Sequence, residues 1–284
     1  MQICTVNKTN IKMKKMKKLS VSILATVAIL LSSCSLDNDD ENQGIIPGTE
    51  VTSQNLAGNL TTDLRLTSGI AHNLIGALLV KDGATLTIDA GTRINALAGG
   101  TDVYILVEKG GKIIADGTAD NPIVFTSNAT NPQPGDWGGI IVNGKAPLSR
   151  QAGSESNSAA EVNAAILYGG AVSEDNSGIL NYVKIEYTGA RIDDEAEHNG
   201  LTLNAVGAGT VISNIAILNG DDDGIEFFGG TVSASNLYLE NNEDDSIDWT
   251  EGWNGTLTDT YISHTIAGFS TAFEGDKDND HSSA

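Results

Sequence analysis

Asn219-Gly-Asp-Asp-Asp-Gly-Ile-Glu-Phe-Phe228 is followed closely by Asn241-Asn-Glu-Asp-Asp-Ser-Ile-Asp-Trp249. Gly224-Ile225-Glu226-Phe227 aligns with Ser246-Ile247-Asp248-Trp249, an offset of 246 − 224 = 22 residues. The same frame lies upstream at Asn199-Gly200-Leu201-Thr202-Leu203 (224 − 200 = 24) and downstream at Ala267-Gly268-Phe269-Ser270-Thr271 (268 − 246 = 22). A period of about 20–50 residues marks stacked repeats. The repeating unit consists of strand and turn residues, so it reads as one coil of a parallel β-helix.

The rest of the chain extends this pattern. From Leu60, short β-rich runs such as Thr85-Leu-Thr-Ile88, Tyr104-Ile-Leu-Val107 and Ile123-Val-Phe-Thr126 alternate with turns such as Lys81-Asp-Gly83 and Lys109-Gly-Gly111. Val80-Lys-Asp-Gly pairs with Val107-Glu-Lys-Gly at 107 − 80 = 27 residues. Further on, Asn181-Tyr-Val183, Ser213-Asn-Ile215, Ser235-Asn-Leu237 and Asp259-Thr-Tyr261 read as one column, spaced by 32, 22 and 24. Alternation within each strand turns one face inward, and stacking joins those faces into one core. A sandwich or barrel ranks second, because it would give hairpins at roughly 8–12-residue spacing without a coil-length period. Residues 145–178 break the rhythm and read as an insertion. Within it, Ser158-Ala-Ala-Glu161 forms a capping box before Val162-Asn-Ala-Ala-Ile166, which predicts one short helix.

The N-terminus carries an address. Lys12, Lys14, Lys15, Lys17 and Lys18 precede an apolar run from Leu19 to Leu31. That run is shorter than the about 20 residues a spanning helix needs, and it fits a secretory signal. Leu31-Ser32-Ser33-Cys34 resembles the lipobox of bacterial lipoproteins, in which the signal is cut before a Cys that becomes lipid-modified. This implies lipid attachment at Cys34, against the plainer reading of a chance Cys in an ordinary signal. Several acyl chains, each gaining roughly 0.8 kcal/mol per buried CH₂, would give stable anchoring. Ser35-Leu-Asp-Asn-Asp-Asp-Glu41 resembles the acidic export signal of Bacteroidetes-type lipoproteins, which implies the outer face of the outer membrane. It also reads as a solvated tether, and both readings stand.

Charge and cysteine count narrow the classes. The chain has 16 Lys+Arg and 37 Asp+Glu; loss of residues 1–33 removes six Lys and no acid, so 16 − 6 = 10 against 37 gives −27. Such a chain repels nucleic acid and acidic polysaccharide unless cations intervene, so no nucleic-acid partner is expected. With Cys4 in the signal, only Cys34 remains, so stability rests on packing rather than disulfides.

Collinear stretches from about 58 to 275 resemble an uncharacterised family of β-helix surface lipoproteins of Bacteroidetes-type bacteria. They include Asp82-Gly-Ala-Thr-Leu-Thr-Ile-Asp-Ala-Gly-Thr92, Gly117-Thr-Ala-Asp-Asn-Pro-Ile-Val-Phe-Thr-Ser127, Gly135-Asp-Trp-Gly-Gly-Ile-Ile-Val-Asn-Gly-Lys-Ala-Pro147 and Asp222-Asp-Gly-Ile-Glu-Phe-Phe-Gly-Gly-Thr-Val232. The resemblance implies a right-handed parallel β-helix at the cell surface and no established activity. Family members usually run past the position of Ala284, which implies truncation here. The expected organisation is therefore a signal at 1–33, a polar tether at 34–58, an all-β solenoid at 59–275 with about 22–27 residues per coil, and a polar tail at 276–284.

The chemistry concentrates in the acidic coils. Asp221, Asp222, Asp223 and Glu226 fall over Glu243, Asp244, Asp245 and Asp248, with coils about 4.8 Å apart. Parallel carboxylates at that spacing repel by about 0.9 kcal/mol in water and about 3.5 kcal/mol at an effective dielectric of 20. No Lys or Arg lies between Arg191 and Lys277 to neutralise them. An oxygen-rich Ca²⁺ site using Asp221, Asp223, Glu226, Asp245 and Asp248 is one reading. The other is that Asp and Asn merely populate solvated turns. An EF-hand fails, because Gly230 stands where such a loop wants Glu.

Trp249 and Trp253, with Asp222 and Asp244, read as a sugar-stacking ligand surface or, alternatively, as packing residues. Paired acids could also serve as general acid and base at glycosidase spacings of roughly 5–9.5 Å. Asp222-Asp223 superficially resembles the paired Asp of polygalacturonases, but the Gly-His-Gly and Arg-Ile-Lys motifs of that family are absent. The leading expectation is a non-catalytic, glycan-binding or adhesion lipoprotein facing outward from the outer membrane, supported by Ca²⁺. A polysaccharide-active enzyme comes second and a structural envelope protein third.

Overall fold

The computed structural model describes residues 53–149, 157–193 and 196–276. The signal, Cys34, most of the tether and the last residues of the tail lie outside the described residues. Among the described residues, eighteen strands follow one another. The first nine are β1 (Ser53–Leu60), β2 (Leu64–Leu66), β3 (Ala71–Val80), β4 (Thr85–Ile88), β5 (Arg93–Ala96), β6 (Gly100–Val107), β7 (Lys112–Asp116), β8 (Ile123–Ser127) and β9 (Trp137–Asn143). Then come β10 (Ser158–Ala160), β11 (Asn163–Tyr168), β12 (Gly178–Glu186), β13 (Leu201–Asn204), β14 (Val211–Leu218), β15 (Ile225–Phe228), β16 (Ala234–Glu240), β17 (Ile247–Thr250) and β18 (Leu257–Ser263).

Sixteen of these strands join one continuous sheet, and every pairing within it is parallel. The sheet closes on itself as three walls. Wall A stacks 58–60, 78–80, 105–107, 140–143, 201–204, 225–228 and 247–250. Wall B stacks 64–66, 86–88, 113–116, 178–181, 211–213, 234–235 and 257–258. Wall C stacks 53–56, 71–74, 93–96, 123–127, 183–186, 215–218, 237–240 and 260–263. This is the expected parallel β-helix. On wall A, Leu201 pairs with Ile225 and Ile225 with Ile247, the 24 and 22 offsets legible in the repeat.

Alternate residues of each wall point inward. Wall A contributes Ile105, Val107, Ile140, Val142, Leu201, Leu203, Ile225, Phe227 and Ile247, all fully or nearly fully buried. They merge with Ile88, Ile113, Leu180 and Ile212 of wall B and with Ile94, Phe125, Ile185, Ile217 and Leu239 of wall C in one aliphatic core. Each such side chain contributes about 1.5–3 kcal/mol relative to exposure.

Corners between walls repeat as well. Tyr182, Asn214, Asn236 and Asp259 all adopt positive φ (49°, 52°, 55° and 54°) between walls B and C. Tyr187, Asn219 and Asn241 do the same after wall C, at 64°, 58° and 56°. Asn reaches this left-handed region at lower cost than most residues, because its side chain can hydrogen-bond locally. That explains why Asn punctuates the repeat.

Three expectations are corrected. The insertion forms no helix at 162–166. Ser158–Ala160 and Asn163–Tyr168 instead pair antiparallel as a two-stranded hairpin. A helix of so few residues cannot recover its nucleation cost in isolation, whereas the hairpin buries Ala160 and Tyr168 against Ala205 and Phe228. In the last coil, Leu237 pairs with Thr260 and Tyr238 with Tyr261, so the offset is 23, not the 24 expected from Tyr261. The extra apolar residue belongs outside, where Tyr261 stacks on Tyr238 with centroids 5.6 Å apart and planes 5° apart. Beyond it, Phe273 rather than Phe269 bridges to Ile247, so the Ala267–Thr271 frame does not continue wall A.

Candidate functional site

In Ile225-Glu226-Phe227 the two apolar residues face the core, so alternation turns Glu226 outward. Asp248 sits beside it on the next coil, and Thr202 on the previous one. Wall A thus carries an outward row Thr202–Glu226–Asp248. Three residues before each member of that row, the corner carries Asn199, Asp223 and Asp245. Asp223 Oδ1 accepts the Asp245 amide at 2.9 Å, and Asp245 Oδ1 accepts the Thr271 amide at 2.6 Å. These two acids therefore also staple successive coils, which is the structural use of Asp in turns.

The acids converge in two overlapping groups. Oxygens of Asp222, Asp223 and Asp244 lie within 4.8 Å of one another, and so do oxygens of Asp223, Glu226 and Asp248. Asp223 belongs to both. Asp221 and Asp245 lie outside both groups: Asp221 is exposed, and the Asp245 carboxylate is engaged by Thr271 and by the Glu274 carboxyl. Of the acids singled out from sequence, the structure brings Asp223, Glu226 and Asp248 together, with Asp222 and Asp244 adjoining through Asp223.

Crowding holds protons on these groups. Desolvation, then the charge of Asp244, pushes Asp222 up to about 7. Desolvation and the Asp222 charge push Asp223 up to about 9, against the opposing pull of its bond from Asp245. Glu226 keeps some solvent contact as a residue, yet its carboxyl is raised well above the usual range by desolvation and by Glu161, Asp223 and Asp248. Burial likewise raises Asp248, offset by bonds from Trp249 and Glu226. A cation in place of those protons would satisfy the same oxygens.

Among the described residues, neighbouring cations do not relieve the row. Arg191 pairs with Glu197 at 3.0 Å. His198 turns toward Tyr104, with centroids 5.0 Å apart, and its Nε2–H donates to Thr101 O at 2.9 Å. Burial lowers its pKa to about 4, so it is neutral at pH 7.

Sequence reading missed three contributors. Glu161, read as a helix-capping residue, lies in the turn between β10 and β11 and raises Glu226. It is itself raised, first by desolvation and then by Glu197, Asp248 and Glu251, although its exposure lets water screen that effect. Glu197 comes from the loop before β13 and faces Asp222 and Glu161. Asn199 donates through Nδ2 to Glu226 Oε2 at 2.5 Å and to Thr202 Oγ1 at 3.3 Å. Its place in the Asn199–Asp223–Asp245 column was a readable signal. The approach of the hairpin was not.

Trp249 is in register with Phe227 on the inner side of wall A and packs against the core. Trp253 stacks on Phe227 at 4.4 Å and donates Nε1–H to Val232 O at 2.9 Å. Both rings remain partly exposed at the C-terminal end of the stack. Trp137 is fully buried and donates to Glu186 O. An openly exposed tyrosine pair stands instead on wall C, Tyr238 with Tyr261.

Compared with protein-family models, residues 58–284 match the pectate-lyase-like beta helix domain. No curated protein and no solved structure gives a match.

Proposed function

The chain belongs to the pectate-lyase-like β-helix domain family, and from that membership we propose a surface glycan-binding module that uses a divalent cation. The observation that carries this reading is the pair of carboxylate groups sharing Asp223 on the outer side of wall A. Bare, that surface repels anionic polymers. With Ca²⁺ seated on Asp223, Glu226 and Asp248, it presents a cation to sugar hydroxyls or carboxylates, with Asp222 and Asp244 accepting hydrogen bonds at its edge. A parallel β-helix supplies a long, rigid wall suited to an extended polymer, and the family description fits a polysaccharide-related role. The lipobox-like Leu31–Cys34 and the acidic residues after it support lipid anchorage at Cys34 and outward display from the outer membrane. Binding without cleavage fits the absence of Lys and Arg between 191 and 277, because elimination chemistry on uronates calls for a base able to take a proton from carbon. A glycan array probed with and without Ca²⁺ tests the reading. Cation-dependent retention of acidic glycans is expected, and retention of none in either condition overturns it.

One observation favours a hydrolytic second reading. Asp222, pushed up to about 7, lies close to two further carboxyls, which is the pairing of a proton donor with a carboxylate that glycoside hydrolysis uses. New reducing ends from a polysaccharide panel, lost in Asp222→Asn, would establish it over simple binding.

A further inference from the structure

We infer that the insertion hairpin is a clasp, closed over the acidic row by a divalent cation held between Glu161 at its tip and the Glu226–Asp248 pair of wall A. The inference rests on the cation reading above and adds a moving part to it.

The hairpin is fastened at its base. Lys109 Nζ donates to Asn157 Oδ1 at 2.5 Å and to Gly169 O at 3.2 Å, on either side of the two strands. Ser158 Oγ and Tyr168 Oη donate to the two oxygens of Glu251, at 3.0 and 2.9 Å. Gly169 N donates to Gly144 O at 2.9 Å. Glu251 is buried and adopts φ 51°, at the corner that Ala205 and Gly229 occupy in the coils below.

The tip is a different environment. Glu161 is exposed and lines a small cavity between the hairpin and wall A, together with Ala160, Val162, Glu197, Thr202 and Asn204. The charges facing it are Glu197 from the loop and Asp248 and Glu251 from wall A and its corner, and Glu226 feels it in turn. All are acidic. A two-stranded hairpin is marginal alone, and this one meets like charge where it should dock.

Two buried amide oxygens identify what belongs there. Asn199 is 2% exposed, and its Nδ2–H bond to Glu226 Oε2 puts the amide in the acidic row, yet among the described residues its Oδ1 has no partner. Asn204 is 3% exposed and lines the cavity; its Nδ2–H donates to Asn143 Oδ1 at 2.9 Å, and its Oδ1 is likewise unpartnered among the described residues. A buried polar atom left unpaired is costly and calls for a missing partner. Carboxylates plus neutral amide oxygens are the ligand chemistry of Ca²⁺. Such an ion turns the repulsion between tip and wall into a bridge. The hairpin then covers one end of the row in a cation-dependent way.

The test is hydrogen exchange across residues 159–166 of the purified protein in Ca²⁺ or in EGTA, run beside calorimetric titration with Ca²⁺. Exchange at the tip should slow about tenfold with Ca²⁺, while strands of the core stay unchanged. Glu161→Gln should lose this response but still bind Ca²⁺, more weakly, through the row. Calcium binding without any change at the tip overturns the clasp and leaves the site intact. No binding heat and no protection overturn the clasp and the cation reading together.

Discussion

Asp248 stands beside Glu226 in the adjoining coil, paired residue for residue in parallel strands, and both side chains point away from the core. The register forces this approach, because Ile225–Ile247 and Phe227–Trp249 pair on either side of it. Local repulsion is thus imposed by core packing, and something else must relieve it.

Calcium should relieve it measurably. A ligand that binds only the folded state stabilises by about 2.7 kcal/mol at a hundredfold excess over Kd. The melting temperature should therefore rise in millimolar Ca²⁺ and fall in EGTA. Glu226→Gln should melt higher than wild type in EGTA, since no proton has to be taken up on folding to neutralise that position, and should gain less from Ca²⁺. Differential scanning calorimetry in both buffers reads both effects.

Acid should substitute for the cation. Asp222 at about 7 and Asp223 at about 9 lie above their unfolded values near 3.9. The folded state therefore binds more protons than the unfolded chain between those limits, so stability is fullest below pH 4 for these groups and declines as pH rises through 7 to 9. In EGTA the protein should melt higher at pH 5 than at pH 8, and Ca²⁺ should help more at pH 8. Equal melting temperatures at the two pH values in EGTA would contradict the crowding.

Asp223 has a second task that separates charge from hydrogen bonding. Asp223→Asn keeps an oxygen for the Asp245 amide and needs no proton taken up on folding to be neutral, so it should be neutral or stabilising in EGTA while weakening Ca²⁺ binding. Asp223→Ala leaves that buried amide unpaired at a cost of about 1–3 kcal/mol, offset in part because no carboxylate has to be protonated on folding. Chemical denaturation of the two variants side by side distinguishes them.

Glu251 should hold the hairpin independently of calcium. Glu251→Ala unpairs Ser158 and the buried Tyr168 hydroxyl, with an expected loss of about 1–3 kcal/mol and faster proteolysis between 157 and 169. Glu251→Gln retains one acceptor oxygen and should fall between it and wild type. Limited proteolysis with mass mapping of the cut sites checks the order.

Phe227 is the keystone of the last coils, stacked on Trp253 and in register with Trp249. Phe227→Ala should cost about 3–5 kcal/mol. Tryptophan fluorescence should shift red as both indoles gain water, a change that denaturant titration can follow to its midpoint.

The repeat was legible wherever the same short frame recurs at the start of a wall A strand. Leu201, Ile225 and Ile247 could be stacked by counting, because a parallel wall demands the same inward residue in every turn. Counting failed at Tyr261, where the coil is 23 residues long and an apolar residue lies outside against Tyr238. It failed again at 158–168, where a local capping pattern competed with strand pairing that only Phe228 and Ala205 could reward. The acids of the site followed from the register, but Glu161, Glu197 and the orientation of Asn199 did not. Glu161 and Glu197 arrive from an insertion and a loop outside the repeat, and the Asn199 amide is turned by Glu226.

By itself the amino-acid order determined the solenoid, its inward aliphatic rows and the vertical alignment of Glu226 with Asp248, since alternation and period are local properties of the chain. Only the tertiary structure decided which carboxylates meet, that Asp245 is spent on Thr271, and that Glu161 closes in from the side. Those contacts join residues far apart in sequence, and their geometry depends on how an irregular segment packs on a regular wall.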